Sequence, residues 1–163
     1  KELGRPSSRG DLKFLVDGEA FFTRFVDVLA SAQESIDIRA YIFDNDDVAL
    51  SVGELLKRRS REGVKVRVLF DGLGSIGASA TQSQSLPDDH KQPFSIESYL
   101  TNQSNVQVRK SKNPWLTGDH VKTMIVDKQL AYIGGMNIGR EYRYDWHDMM
   151  VEIRGARVGQ DQS

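Results

Sequence analysis

The chain reads as an α/β domain built on a mixed, largely parallel β-sheet with helices on both faces. Three observations lead there. Short runs rich in β-branched residues (12–16, 35–43, 64–70 and 105–110) are interspersed with stretches whose apolar residues recur every three to four positions. The first five elements run strand, helix, strand, helix, strand, an order that implies right-handed crossovers between parallel strands. The length, 163 residues, fits one domain able to bury a core.

Residues 1–10 are polar, with Pro6 and several glycine, serine and arginine residues, and read as a leader or linker before a single domain over 11–163. Residues 12–16 form a short strand, and Asp17 stands where a helix N-cap is expected. The following helix carries Phe22, Phe25, Val26 and Leu29 on one face. The segment SIDIRAYIF at 35–43 alternates as a strand does. Asn45 or Asp46 then caps a second helix with Val48, Val52, Leu55 and Leu56 on its apolar face. Lys57, Arg58, Arg59 and Arg61 crowd its last turns, where cations favour the negative end of the helix dipole, and Gly63 supplies the stop. The run reads as a solvated helix end. VKVRVLF at 64–70 is the third strand.

Residues 71–93 make a long Gly/Ser/Gln-rich loop after the C-terminal end of a sheet strand, where α/β sites tend to lie. His90, within it, reads as a solvated side chain. A short helix over 94–100, a strand over 105–110 and a turn-rich approach over 111–119 follow. Trp115-Leu116 in that approach fits contact with a membrane or packing on a neighbouring loop. Residues 120–126 and 130–133 then form a hairpin around Asp127-Lys128-Gln129. Residues 137–144 read as turn or helix, and 148–154 as the last strand.

The densest chemistry lies in HVKTMIVDKQLAYIGGMN, residues 120–137. Alternation along a strand sends His120 and Lys122 to the same side. A group that is nucleophilic when neutral thus stands beside a fixed positive charge. Asp127 ends the strand on the opposite parity, and is expected to fix the turn or a local hydrogen-bond network. Gly134 and Gly135 then allow close backbone approach before the amide of Asn137.

This pattern resembles the signature of the phospholipase D (HKD) superfamily, His-x-Lys-x(4)-Asp followed by Gly-Gly-x-Asn. Here it is filled by His120, Lys122, Asp127, Gly134, Gly135 and Asn137. The flanks at 38–75 and 137–155 are similar to the first half of bacterial cardiolipin synthases, and the resemblance covers residues 14–155. It implies a phospholipase D-like half-domain that cleaves a phosphodiester, or transfers a phosphatidyl group, through a covalent phosphohistidine. His120, Lys122, Asp127 and Asp148 would be the catalytic set, and His120, Lys122 and Asn137 would hold the phosphate. Gly134 and Gly135 would support them. Asp148 resembles the carboxylate that bonds the far nitrogen of an active-site histidine, fixing its tautomer. His147 matches no catalytic position and reads as structural. Two departures remove positive charge near the site: Val121 and His147 stand where many relatives carry arginine.

The scheme calls for no metal and no cofactor. It does call for a second acid to protonate the leaving alcohol. Only three histidines are present, one of them in the motif, and there is no internal repeat. The second copy is expected from an identical chain or from a missing C-terminal half. The expected partners are phospholipid and a membrane surface. Nucleic acid is not expected, because the net charge is −1 and the pI about 6.4, without the basic balance of a dedicated nucleic-acid binder. A dimeric nuclease of the same superfamily and a non-catalytic anionic-lipid module are the alternatives. No cysteine is present, which excludes disulfides, thiol catalysis and zinc knuckles. No apolar run approaches the roughly 20 residues of a membrane span. The expectation is a soluble domain on the cytoplasmic side, peripheral to a membrane, with any anchor outside these residues.

Overall fold

The computed structural model describes residues 10–71, 86–111 and 122–155. Seven strands, β1 (Asp11–Val16), β2 (Ser35–Ala40), β3 (Lys65–Asp71), β4 (Gln107–Ser111), β5 (Thr123–Val126), β6 (Leu130–Gly134) and β7 (Met149–Arg154), make one sheet in the order β1-β7-β6-β5-β2-β3-β4. Four helices accompany them among the described residues: α1 (Gly18–Ser31), α2 (Asp47–Arg61), α3 (Ile96–Thr101) and α4 (Arg140–Tyr144).

The α/β class and the mixed sheet agree with the sequence reading, but the sheet is not largely parallel. Only β2–β3 and β3–β4 pair in parallel, while β1–β7, β7–β6, β6–β5 and β5–β2 are antiparallel. The reason lies in the connections. A parallel neighbour needs a long crossover, which α2 provides between β2 and β3, whereas a short turn returns the chain antiparallel. β5 and β6 are joined through Asp127 and Lys128, both at positive φ, with the Gln129 N–H donating to the Val126 carbonyl at 3.1 Å. α1 does not set β1 beside β2. It carries the chain across the sheet, leaving β1 at the edge against β7.

The helices were expected on both faces, yet those described share one. α1 packs on α2 and α4, and α2 on α3 and α4. Beneath them lie the inward residues of alternate sheet positions: Ile36, Ile38, Val66, Val68, Phe70, Met124, Val126, Tyr132 and Met150. α1 sends down Phe21, Phe22, Phe25 and Leu29, all fully buried, each contributing about 1.5–3 kcal/mol of transfer free energy. One acid enters this core. Glu152 on β7 accepts from Arg24 Nε at 2.9 Å and from the Tyr132 hydroxyl at 2.8 Å. Burial works to raise its pKa, but these two donors and the nearby cationic charges outweigh it and hold the carboxyl below its ordinary value.

The two helix starts differ from one another. Asp46 caps α2, its carboxylate accepting from the Ala49 N–H at 2.8 Å. Asp17 precedes α1 but makes no cap bond; it lies at positive φ and its carboxylate meets His147 Nδ1 at 2.9 Å. Nor is Lys57 solvated, as the cation run suggested. It is buried, 3.2 Å from Glu54 and above the Tyr99 ring at 4.5 Å.

Candidate functional site

Four pieces of chain converge where the parallel strands β2 and β3 end. The strand ends are themselves joined, the Asp71 N–H donating to the Tyr41 carbonyl at 3.3 Å. β5 runs antiparallel to β2 with Thr123 opposite Arg39, so Lys122 enters at this same end. The loop after β6 returns here too. Ile138 pairs with Phe43 in an isolated bridge, its N–H donating to Ile42 O at 3.2 Å and its carbonyl accepting from Asp44 N at 2.9 Å.

Lys122 is 8% exposed, and its ammonium sits 5.8 Å from the centre of the Tyr41 ring. A cation in that position is held by the negative face of the ring and kept partly from water, which strengthens its attraction for an incoming anion. Asn137 is buried, and its side-chain oxygen accepts the Ile42 N–H at 3.0 Å. That bond fixes the amide's orientation and leaves its NH₂ as the donor end. Asn137 also shares a hydrogen bond with Tyr142 that lowers the phenol's pKa, against a larger upward push from burial; the net value is pushed up to about 12. A neutral Tyr142 thus braces the amide from α4.

Gly134 and Gly135 bring β6 close to the start of β7. An added Cβ at Gly134 would lie 2.3 Å from the Met149 carbonyl oxygen, and at Gly135 2.2 Å from Asp148 Oδ2. Asp148 therefore rests on bare backbone at the same end of the sheet as Lys122 and Asn137, its Oδ1 accepting from Met149 N at 2.7 Å. Gly134→Ala is expected to cost about 2–3 kcal/mol, because the clash is with a paired backbone. Gly135→Ala is expected to cost less than half of that, because only a carboxylate must turn; urea melts of the two proteins measure the difference.

Asp127 does not join this group. It stands at the other end of β5, roughly 16 Å along the strand from Lys122. Its Oδ1 accepts from Glu34 N at 2.7 Å and Ser35 N at 2.9 Å, and its Oδ2 from Gln33 N at 2.9 Å. Burial raises its pKa, but the three backbone donors and the Arg59 charge outweigh that and hold it below the usual carboxylate range. The residue staples the α1–β2 turn to the β5–β6 hairpin, so its place in the motif reflects scaffold geometry.

His120 lies outside the described residues, as do Trp115, Leu116 and most of the loop at 71–93. His90 is described and is not simply solvated; its Nε2 meets the Asn45 carbonyl at 2.9 Å. Tyr41 was not singled out from sequence. The available signal was its position as the residue following a strand that leads into a parallel crossover, where side chains gather around a site. Asp44 and Asp46 border the same junction; burial raises both, Asp46 to about 6. Among the described residues no group of His, Cys, Asp and Glu has the arrangement to hold a metal ion.

The family described as "Cardiolipin synthase, PLD-like domain" matches residues 25–162. The chain is 32% identical over 164 residues to cardiolipin synthase A of Pseudomonas putida, covering 94% of this chain and 32% of that protein. It is 28% identical to the cardiolipin synthase of Alkalihalophilus pseudofirmus, over 93% of this chain and 30% of that protein. The chain thus spans about a third of the length of these relatives. Among solved structures, Nuc of Salmonella typhimurium, a phospholipase D family member, superposes with a TM-score of 0.66 at 20% identity, covering 90% of this chain and 84% of that one. The site-bearing end of the sheet and a match that runs through nearly every element agree: this chain belongs to the phospholipase D-like domain family of the cardiolipin synthases.

Proposed function

We propose that the chain is one catalytic half of a phosphatidyl-transferring phosphodiesterase acting on phospholipids, of the cardiolipin synthase type. The observation that carries this is the buried Lys122 ammonium at the ends of β2 and β5, with the oriented Asn137 amide set against the same stretch of chain. An ammonium and an amide donor suit the non-bridging oxygens of a diester phosphate, where charge shifts as the bond breaks. That the relatives are cardiolipin synthases supports phospholipid as the substrate and phosphatidyl transfer as the reaction.

In this reading a neutral His120 nitrogen attacks phosphorus. A P–N bond forms, and the P–O bond to the leaving alkoxide breaks. The alkoxide takes a proton from the histidine of a second H-x-K motif. That histidine then removes the proton of an acceptor hydroxyl, which attacks phosphorus and frees His120. The second motif comes from an identical chain or from further chain such as the longer relatives possess. Asp148 would hold the far nitrogen of a histidine. A membrane surface is the natural setting for the substrate; among the described residues, no helix is long and apolar enough to cross a membrane.

An activated diester separates the nucleophile from the missing acid. Bis(p-nitrophenyl) phosphate releases a phenolate that needs no proton, so a lone motif suffices for the first step. Protein incubated with it in EDTA and quenched in alkaline detergent is expected to carry one aryl phosphate per chain as an acid-labile, base-stable adduct at His120. An acid-stable adduct, or one located elsewhere, would remove His120 as nucleophile.

A further inference from the structure

The sheet face that carries no described helix is divided in two. Strand register defines its rows, because residues directly paired across strands point the same way. One row runs Phe14, Val151, Ile133, Thr123, Arg39, Leu69, Arg109 from edge to edge. The neighbouring row runs Leu12, Ile153, Ala131, Ile125, Asp37, Arg67, Gln107. Thr123 and Leu69 apart, the β1–β7–β6–β5 half of both rows is apolar and the β2–β3–β4 half polar; Thr123, Ile125 and Ala131 in the middle are buried, so the exposed side chains lie toward the two edges. Leu12, Phe14 and Val16 are about 60% exposed, and Ile133 and Met149 more than 40%. The polar half carries Arg39, Lys65, Arg67 and Arg109 against two acids. Of these, Asp37 is paired with Arg67, and Asp71 is buried. A chain with net charge −1 therefore gathers positive charge on this face.

The geometry points to the exposed edges of this face, which no described helix covers, as a docking surface for an anionic phospholipid bilayer. An exposed apolar patch of several large side chains marks an interaction site. What covers it must accept apolar side chains at one end and supply negative charge at the other. An anionic bilayer does both, since interfacial binding grows with buried apolar area and with attraction to acidic headgroups. A second copy of the chain would match the apolar half, but the same face carries four cations against two acids and would set like charges against one another. A nucleic acid would match the cations and leave the apolar side chains in water. The face also adjoins the candidate site. Thr123, in the first row, directly follows Lys122, and Arg39 lies two residues before Tyr41. The inference rests on the phospholipid reading for the lipid chosen, and it names the surface that brings that lipid to the site.

Sedimentation with phosphatidylglycerol and with phosphatidylcholine vesicles at 0.1 M salt tests it. The protein is expected to bind the anionic vesicles at least tenfold more tightly. Lys65→Gln with Arg109→Gln, both exposed positions, is expected to weaken that binding about thirtyfold, near a factor of five for each charge lost. Phe14→Ser with Ile133→Thr is expected to abolish it. Lys122→Met is expected to retain it, because docking does not use the site. Adduct formation from the soluble aryl diester is expected to be unchanged by the four surface substitutions, so a parent protein that ignores anionic vesicles while its diester chemistry is intact sinks the docking surface alone. Three results overturn the proposal: no preference for anionic vesicles, surface variants that bind as the parent does, or a solution dimer dispersed by Phe14→Ser with Ile133→Thr in a protein that ignores vesicles. The Lys65→Gln/Arg109→Gln protein keeps the test decisive if the apolar variant fails to fold.

Discussion

The His120→Ala protein is expected to turn over phosphodiester at least 10⁴-fold more slowly than its parent, and Lys122→Met about 10²–10³-fold more slowly. The two figures differ because the two groups do different work. Removing a covalent nucleophile eliminates the pathway and leaves only what binding and electrostatics give to attack by water. Removing one fixed charge beside the developing oxyanion leaves the pathway and raises its barrier. Lys122→Met should therefore still form the phosphohistidine adduct, slowly, while His120→Ala forms none. Lys122 is nearly buried against Tyr41, so methionine, similar in length and apolar, should fold without loss. Initial rates on bis(p-nitrophenyl) phosphate, with thermal melts on the same samples, separate the two effects. Equal rates for Lys122→Met and parent would disconnect the ammonium from the phosphate.

Asp127→Ala is expected to lose about 3 kcal/mol of stability and no intrinsic chemistry. Three backbone N–H groups lose their acceptor at once. Ser35 is buried and cannot turn to water, while Gln33 and Glu34 are exposed and can, so the cost stays below three full unsatisfied donors. Alanine also tolerates the positive φ of this position less well than aspartate. Against the 5–15 kcal/mol of a typical domain, the loss is severe, and the urea midpoint will report it. The pH dependence has a definite sign. The folded pKa lies below the unfolded one, so this stabilisation is present above the unfolded value of about 3.9 and is lost as pH falls through the folded value. Asp127→Asn, which keeps the turn conformation but not the charge, should lack that acid limb.

The sequence made some of this legible, for physical reasons. The β5–β6 hairpin and β7 could be read because alternation and turn residues are local signals. The Asp46 cap could be read because a cap acts within three residues. The partner of β1 could not: pairing Asp11–Val16 with Met149–Arg154 is decided by which sheet edge remains open, and no periodicity encodes that. For the same reason a strand-helix-strand order overstated the parallel share of the sheet. Asp17 had the residue type and position of a cap, but its backbone takes a positive φ and its carboxylate turns to His147. In the site, Lys122, Asn137 and the glycine pair stood out by spacing. Tyr41 did not, because an aromatic closing a strand looks like core until β5 is seen lying beside it. The division of the sheet face that carries no described helix was likewise invisible, since its rows thread seven strands that follow one another in space and not along the chain.

One short stretch after β2 has consequences for how this protein can fail. Within six residues, Tyr41 flanks the ammonium, Ile42 orients the amide of Asn137, and Asp46 both starts α2 and accepts the Arg140 N–H at the head of α4. The proposed catalytic site and the mechanical integrity of the domain therefore draw on the same few bonds. Heating should extinguish turnover and helical signal along a single curve, with no temperature at which an inert but otherwise intact protein accumulates.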